Sequence, residues 1–418
     1  MKQKIIILLS ILSINTTLFA QFQVQGVIRP RFEFRNGYGT LRNDTTTPAV
    51  FVSQRSRLSF LYEKDNLQTK FTLFDYRVWG DQVWKKDVPS MGVHELWAKY
   101  KLNDKFSIKF GRQELKYDNS RLISSVNWNQ IGAAHDALLL KYLNNDWSAN
   151  LVVAWNQSSE NKFGTDYEYA TSYYKSLNIF WLQKKFNNLT VSSLSILDGM
   201  QDLIDAEKIR FRFTSGLKFN YKNNDFQFIA RVFLQTGELQ NTQNINAFYT
   251  NLELSYKTSD KLKLYVGNEI KSGNDATDVN NTESNAFDIL YGARHKLNGR
   301  IGYFSTPSTT KGAGLIDTYL KGTYKFAKNT SLLTEYHYFA LQNNYIENNV
   351  VINKFLAHEI DFVFDRKVSE SVKLQAGYSM IFGEESLEII KDGNADLFNN
   401  WFYFMVTINP TFFNSANK

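Results

Sequence analysis

Residues 208–221 read KIRFRFTSGLKFNY, and their alternation decides the fold. Ile209, Phe211, Phe213, Leu217, Phe219 and Tyr221 fall on one face of an extended chain. Lys208, Arg210, Arg212, Thr214, Lys218 and Asn220 fall on the other. Such a segment has one greasy surface and one charged surface. With 14 residues it exceeds the usual soluble strand of about 5 or 6. It is long enough to cross a bilayer at a tilt and protrude.

The same pattern recurs along the chain. In 147–156, Trp147, Ala149, Leu151, Val153 and Trp155 share a face, with a tryptophan at each end where a lipid interface would lie. In 371–381, Val372, Leu374, Ala376, Tyr378 and Met380 oppose Lys373, Gln375, Gly377 and Ser379. In 358–365, Ile360, Phe362 and Phe364 oppose Glu359 and Asp361. Ala137–Tyr142 is apolar on both faces, and 106–114 loses its alternation near Gly111, which predicts a bulge there.

Connections fall into two classes. Tight Asn/Asp/Lys turns are predicted at 64–66, 103–105, 144–146, 187–188, 222–224, 258–260, 327–329 and 367–370, since Asn and Asp tolerate turn conformations. Longer polar stretches lie at 36–50, 80–92, 157–172, 272–285 and 383–399. Alternating turns and loops is the layout of a bacterial outer-membrane barrel with its turns on the periplasmic side. Eight such turns, with both chain ends on that side, predict an all-β antiparallel transmembrane barrel of 18 strands. About 272–314 is then one long loop; reading 286–304 as a hairpin would raise the count to 20. Trp401–Phe413 is the expected closing strand. No fixed repeat marks a β-helix or a sandwich array.

Bulk properties agree. Residues 1–20 have the form of an export signal: Lys2 and Lys4, an apolar run from Ile5 to Leu12, then Leu18-Phe19-Ala20 before Gln21. Residues 21–418 form the expected single barrel domain, placed in a bacterial outer membrane with lipid and lipopolysaccharide as neighbours, as a monomer. Aromatic residues make up 15% of the chain against 5 prolines, which suits strands and membrane interfaces. The absence of cysteine excludes a disulfide framework. Losing Lys2 and Lys4 with the signal takes the formal charge from +7 to +5. Spread over the mature chain, that mild excess argues against a nucleic-acid partner.

With the greasy face outward, Arg29, Arg31, Arg55, Arg57, Arg77, Lys99, Arg210, Arg212, Lys218 and Arg231 are expected in the lumen. Glu33, Asp75, Glu95, Glu253, Glu269, Glu359 and Asp361 join them. Arg29, Arg31, Arg55 and Arg57 lie on the first two strands and form one basic patch. Arginine forks bind carboxylates bidentately, so the patch favours anions. An ion-pair lattice with Glu33, Asp75 and Glu95 is the structural alternative. Five histidines occur without HExxH or another metal spacing, and no Gly-x-Ser-x-Gly elbow exists. No enzyme activity and no cofactor are expected.

Gly111-Arg112-Gln113-Glu114-Leu115, Tyr117-Asp118, Arg121-Leu122, Trp128 and His135-Asp136 together resemble a block of alginate-export-type outer-membrane barrels. Phe287–Tyr291 with His295-Lys296 and Gly299, Glu335–Phe339, and His358–Asp361 leading to Gly377-Tyr378-Ser379 are similar to further blocks of that family in the same order. The resemblance implies an 18-stranded barrel whose arginine-rich pore passes a polyuronate, with a long loop over the mouth. It implies pore arginines at Arg77, Arg112 and Arg121, and acidic partners at Asp75, Glu114 and Asp136. The expected function is passive passage of anionic solutes, uronate-type saccharide chains foremost. A general anion-preferring porin and a non-conducting adhesin or assembly scaffold are the alternatives.

Overall fold

A computed structural model describes residues 20–83, 90–169 and 173–415. The expected export signal, Ala20 excepted, and parts of the loops at 80–92 and 157–172 lie outside these residues. The first nine strands are β1 (Gln21–Asn36), β2 (Ala49–Lys64), β3 (Leu67–Val78), β4 (Met91–Lys101), β5 (Phe106–Gln113), β6 (His135–Asn144), β7 (Trp147–Trp155), β8 (Ser176–Phe186) and β9 (Leu189–Gln201). They continue as β10 (Ile209–Asn223), β11 (Phe226–Glu238), β12 (Asn244–Lys257), β13 (Leu262–Lys271), β14 (Leu315–Ala327) and β15 (Thr330–Ala340). The last three are β16 (Phe355–Lys367), β17 (Val372–Gly383) and β18 (Asn399–Ile408).

Each strand pairs antiparallel with the next, and β18 pairs with β1 to close an 18-stranded barrel. The expected number of strands is therefore the one observed. Asn409-Pro410 interrupts the last strand, because proline has no N–H for the ladder. Thr411–Asn414 then resumes pairing with β1 at Gln23–Gln25. Closure leaves no open edge, as lipid requires.

All eight predicted tight turns join strands at one end. Asp65, Asn145, Asn187 and Asn224 take positive φ there, between 43° and 52°, a region open to Asn and Asp at little cost. Both ends of the barrel domain lie on this side, since Gln21 sits opposite Glu63 and Gln23 opposite Asn414. Nine connections cross the other end. Residues 286–304 add no strand; 272–314 is one loop carrying a short 3₁₀ turn at Pro307–Thr310. A short helix, α1 (Glu385–Lys391), lies between β17 and β18.

The outward face is a belt of apolar side chains. On β10, Phe211 and Phe213 are 43% and 44% exposed while Thr214 between the strands' inner residues is fully buried. Trp147, Leu151, Val153 and Trp155 likewise point out on β7. The predicted bulge near Gly111 is corrected: β5 keeps continuous register on both sides. Gly111 instead has φ +110°, and a Cβ there would stand 2.3 Å from the Leu96 carbonyl. The irregularity belongs to β4 at His94, where the β3–β4 register shifts.

The inner face is not uniformly polar. Val152, Leu177, Ile179, Leu194 and Ile196 point inward and are buried against Leu115, Leu122, Ile123, Phe287 and Leu290. A second cluster packs Ile301, Tyr303 and Phe304 against Phe339, Trp401 and Tyr403. Two loops, 114–134 and 272–314, thus fold into the lumen and fill much of it.

Candidate functional site: an arginine cage over an infolded loop

Register sets the first feature. Arg29 on β1 stands directly opposite Arg55 on β2. Like charges across a ladder repel, and among the described residues neither arginine takes a carboxylate partner. Their donors are met instead by the tip of loop 114–134. Arg29 gives Nε to Gln130 Oε1 at 3.0 Å, Nη1 to the Asn127 carbonyl at 2.9 Å and Nη2 to the Asn129 carbonyl at 3.1 Å. Arg55 gives Nη1 to Asn127 Oδ1 at 2.6 Å and also reaches the carbonyls of Asn129 and Gln130.

Two neighbours complete the cage. Arg31 donates to the Trp128 carbonyl at 2.9 Å and holds Glu33 at 2.8 Å. Arg57 donates to the Ile131 carbonyl at 2.7 Å and faces Glu114 at 3.5 Å. Five consecutive residues, Asn127–Ile131, are thereby gripped by four guanidinium groups. The Gln130 amide answers by donating to the Arg29 carbonyl at 3.2 Å and to Ser53 Oγ at 3.1 Å. Trp128 lies under the Arg31 guanidinium, 4.4 Å from its ring centre, and stacks on His295 of the second loop at 4.1 Å.

Above the cage, toward the long-loop end, is a cavity of about 450 Å³ lined by Arg31, Glu33, Arg35, Tyr76, Asn129 and Gln130. Its size falls within the roughly 300–1,000 Å³ typical of small-molecule sites. Below the cage the wall stays basic. Lys99 and Lys109 face each other across β4 and β5, with Lys141 on β6. Glu95 points inward as expected and holds Lys70.

The remaining site residues separate into two groups. Arg121, Arg210, Arg212 and Arg231 point into the barrel, and the first three are held in ion pairs. Arg121, buried in loop 114–134, meets Glu269 on the wall and Asn298 Oδ1 at 2.7 Å. Arg212 holds Asp198 at 2.8 Å and, through its other nitrogen, Asp288 of loop 272–314 at 2.9 Å. Arg210 sits at the rim between Asp202 and Glu238. Arg231 lies opposite Lys218, which reaches Asp118 of loop 114–134 at 3.7 Å.

Four expected lumen residues face the other way. Asp75 and Arg77 pair in register with Ser56 and Gln54, the face opposite Arg55 and Arg57. Arg77 forks onto Asp75 there at 2.9 and 3.0 Å. Arg112 and Asp136 are register partners beside Leu96, Phe110 and Leu138, all outward. Their 3.0 Å ion pair is 43% and 63% exposed. Strand parity had placed Asp75 and Arg77 inside and the family resemblance Arg112 and Asp136; the ends of strands stand beyond the lipid, where an outward ion pair is solvated. The loop that the cage grips escaped the sequence reading. Leu115–Ala134 is too long for a turn, and its three serines and three asparagines are the signal that marks it.

The two infolded loops also lock to one another. Ile123 bridges Tyr291, and Ser124 donates to the Tyr291 carbonyl at 3.1 Å. Gly292 allows the approach: a Cβ there would overlap the Arg121 carbonyl at 1.7 Å.

A closed 18-stranded barrel with an apolar belt, short turns at one end and charged, loop-filled interior is an outer-membrane channel of the porin class, located in the bacterial outer membrane. The chain belongs to the alginate export family, which matches residues 20–387. Solved structures share the fold at low identity. Acinetobacter baumannii OccAB4 is 12% identical with a TM-score of 0.61, covering 94% of this chain and 98% of that one. Acinetobacter baumannii OccAB1 gives 11% and 0.62 over 94% and 97%. The Pseudomonas aeruginosa outer membrane protein opdK gives 11% and 0.59 over 94% and 99%. Among curated proteins nothing matches.

Proposed function

We propose that the protein is a passive channel for anionic solutes, with uronate-type saccharide chains as the foremost substrate class. The observation that carries this reading is the buried Arg29–Arg55 pair, which among the described residues has no carboxylate of its own. Its donor forks rest on neutral loop carbonyls. A carboxylate would be a stronger partner, because it brings the opposite charge and accepts the guanidinium fork with two oxygens at once, where each carbonyl offers one neutral oxygen. Arg57 and the Lys99–Lys109 pair extend positive charge toward the short-turn end, and Glu95 and Glu114 keep binding weak enough for release.

The loops decide the resting state. With Asn127–Ile131 in the cage, passage requires that an incoming anion compete for the arginines and release the tip. Purified barrels in a planar bilayer under a KCl gradient test the reading. Anion preference, with current blocked by added polyuronate, is the expected result. Cation preference would overturn the lumen assignment. Absence of any conductance would favour the scaffold reading, for which the dense packing of both loops against the inner wall speaks.

A further inference from the structure

Three to five strands round the wall from Arg29, the inner face carries a different chemistry. Glu335 on β15 stands opposite Asp361 on β16, and His337 opposite Glu359. All four are buried, the last three completely. Glu335, His337 and Asp361 each bring one donor atom to within 4.8 Å of the others.

Hydrogen bonding leaves the cluster incomplete. His337 Nδ1 lies 2.8 Å from Asp317, so Nδ1–H donates to the carboxylate and the neutral ring's lone pair falls on Nε2. Among the described residues that Nε2 has no hydrogen-bond partner; neither has Asp361 Oδ2 nor Glu359 Oε2. The other Asp361 oxygen accepts from Ser379, and the other Glu359 oxygen accepts the N–H groups of Arg300 and Ile301. A buried acceptor left unmet costs its full desolvation, and here three occur together. Charge is also unbalanced: Asp317, Glu335, Glu359 and Asp361 face Arg300 and Lys321, while Lys271 reaches Asp317 only through the Asn298 amide.

We propose that Glu335, His337 and Asp361, supported by Glu359, bind one divalent first-row transition ion, with Zn²⁺ or Mn²⁺ the best fit to one imidazole and several carboxylates. Asp317 then plays the outer carboxylate that orients a ligating imidazole. The ion also explains a role for the neighbouring loop. Gly299, at φ +71°, passes so near Glu359 that a Cβ would lie 2.2 Å from its Oε2, and Arg300 is paired to Glu335. Metal at this point pins loop 272–314 to the wall.

The test uses the full-length protein purified from outer membranes in detergent, loaded with Zn²⁺ alone or Mn²⁺ alone, gel-filtered and analysed for bound metal. Roughly one ion per chain is expected, with affinity falling about 10-fold or more in the His337→Ala and Asp361→Asn variants. Asp365→Asn, lower on the same strand and paired with Lys373 at 2.6 Å, keeps the metal. Heat-modifiable migration on gels confirms that each variant is a folded barrel. Should His337→Ala fail to fold, His337→Gln and Asp361→Asn carry the comparison. Background metal in the unaltered protein, or equal metal in the folded variants, would overturn the site and leave a proton-sharing Glu359–Asp361 pair.

Discussion

Arg29 and Arg112 show how little residue type alone says about role. Both are arginines on strands, yet one is buried among loop carbonyls and the other shares an exposed ion pair with Asp136. Exposed pairs contribute about 0–1 kcal/mol, whereas each charge-assisted bond in the cage is worth roughly 1.5–3 kcal/mol. The expected outcome is therefore split. The double change Arg29→Gln/Arg55→Gln frees the loop tip, raising single-channel conductance while lowering anion preference. Arg112→Gln leaves both unchanged. Single-channel recording of the two variants side by side checks this, and a selectivity change in Arg112→Gln would mean that its side chain turns inward.

At the scale of elements, strands and turns were legible because each obeys a local rule. Period-two alternation marks β7, β10, β16 and β17, and Asn or Asp marks the turns. Loops in the lumen obey none. Ala137–Tyr142 reads as apolar on both faces because its inner residues, such as Ala137, are covered by Leu115, Tyr117 and their neighbours, a tertiary fact with no local trace. The arginine patch on β1 and β2 was legible; its occupant, a carbonyl row more than 70 residues away in sequence, was not. Asp75 and Arg77 were misplaced because strand ends escape the lipid rule. The two infolded loops should also respond differently to surgery. Replacing Asn127–Ile131 by a Gly/Ser linker is expected to raise conductance in a barrel that stays folded. Deleting 273–312 strips Phe287, Ile301, Tyr303 and Phe304 from the inner wall. That deletion is expected to lower the urea midpoint of unfolding, measured by gel migration.

Across the whole molecule, the proposed anion preference rests on field as well as contact. The cage and the Lys99–Lys109 pair place an excess of positive charge along β1, β2, β4 and β5, while inner-face acids concentrate on β13–β16. Screening shortens such a field from about 10 Å in 0.1 M salt to about 3 Å in 1 M. Anion-to-cation permeability ratios are thus expected to fall as both chambers are raised from 0.1 M to 1 M KCl. A ratio independent of salt would place selectivity in contact with the arginines alone.

The seam has a consequence for the order of assembly. Trp401 on the closing strand donates to Glu33 at 3.1 Å across 368 residues, and Glu33 in turn steadies Arg31, which grips Trp128. Contacts between such distant parts of a chain form late. The cage is thus unfinished until first and last strands meet, and a nascent barrel passes through a stage with its throat undefended. Vesicles in which the chain is folding should leak small ions transiently, and the leak should fade as the closed form accumulates.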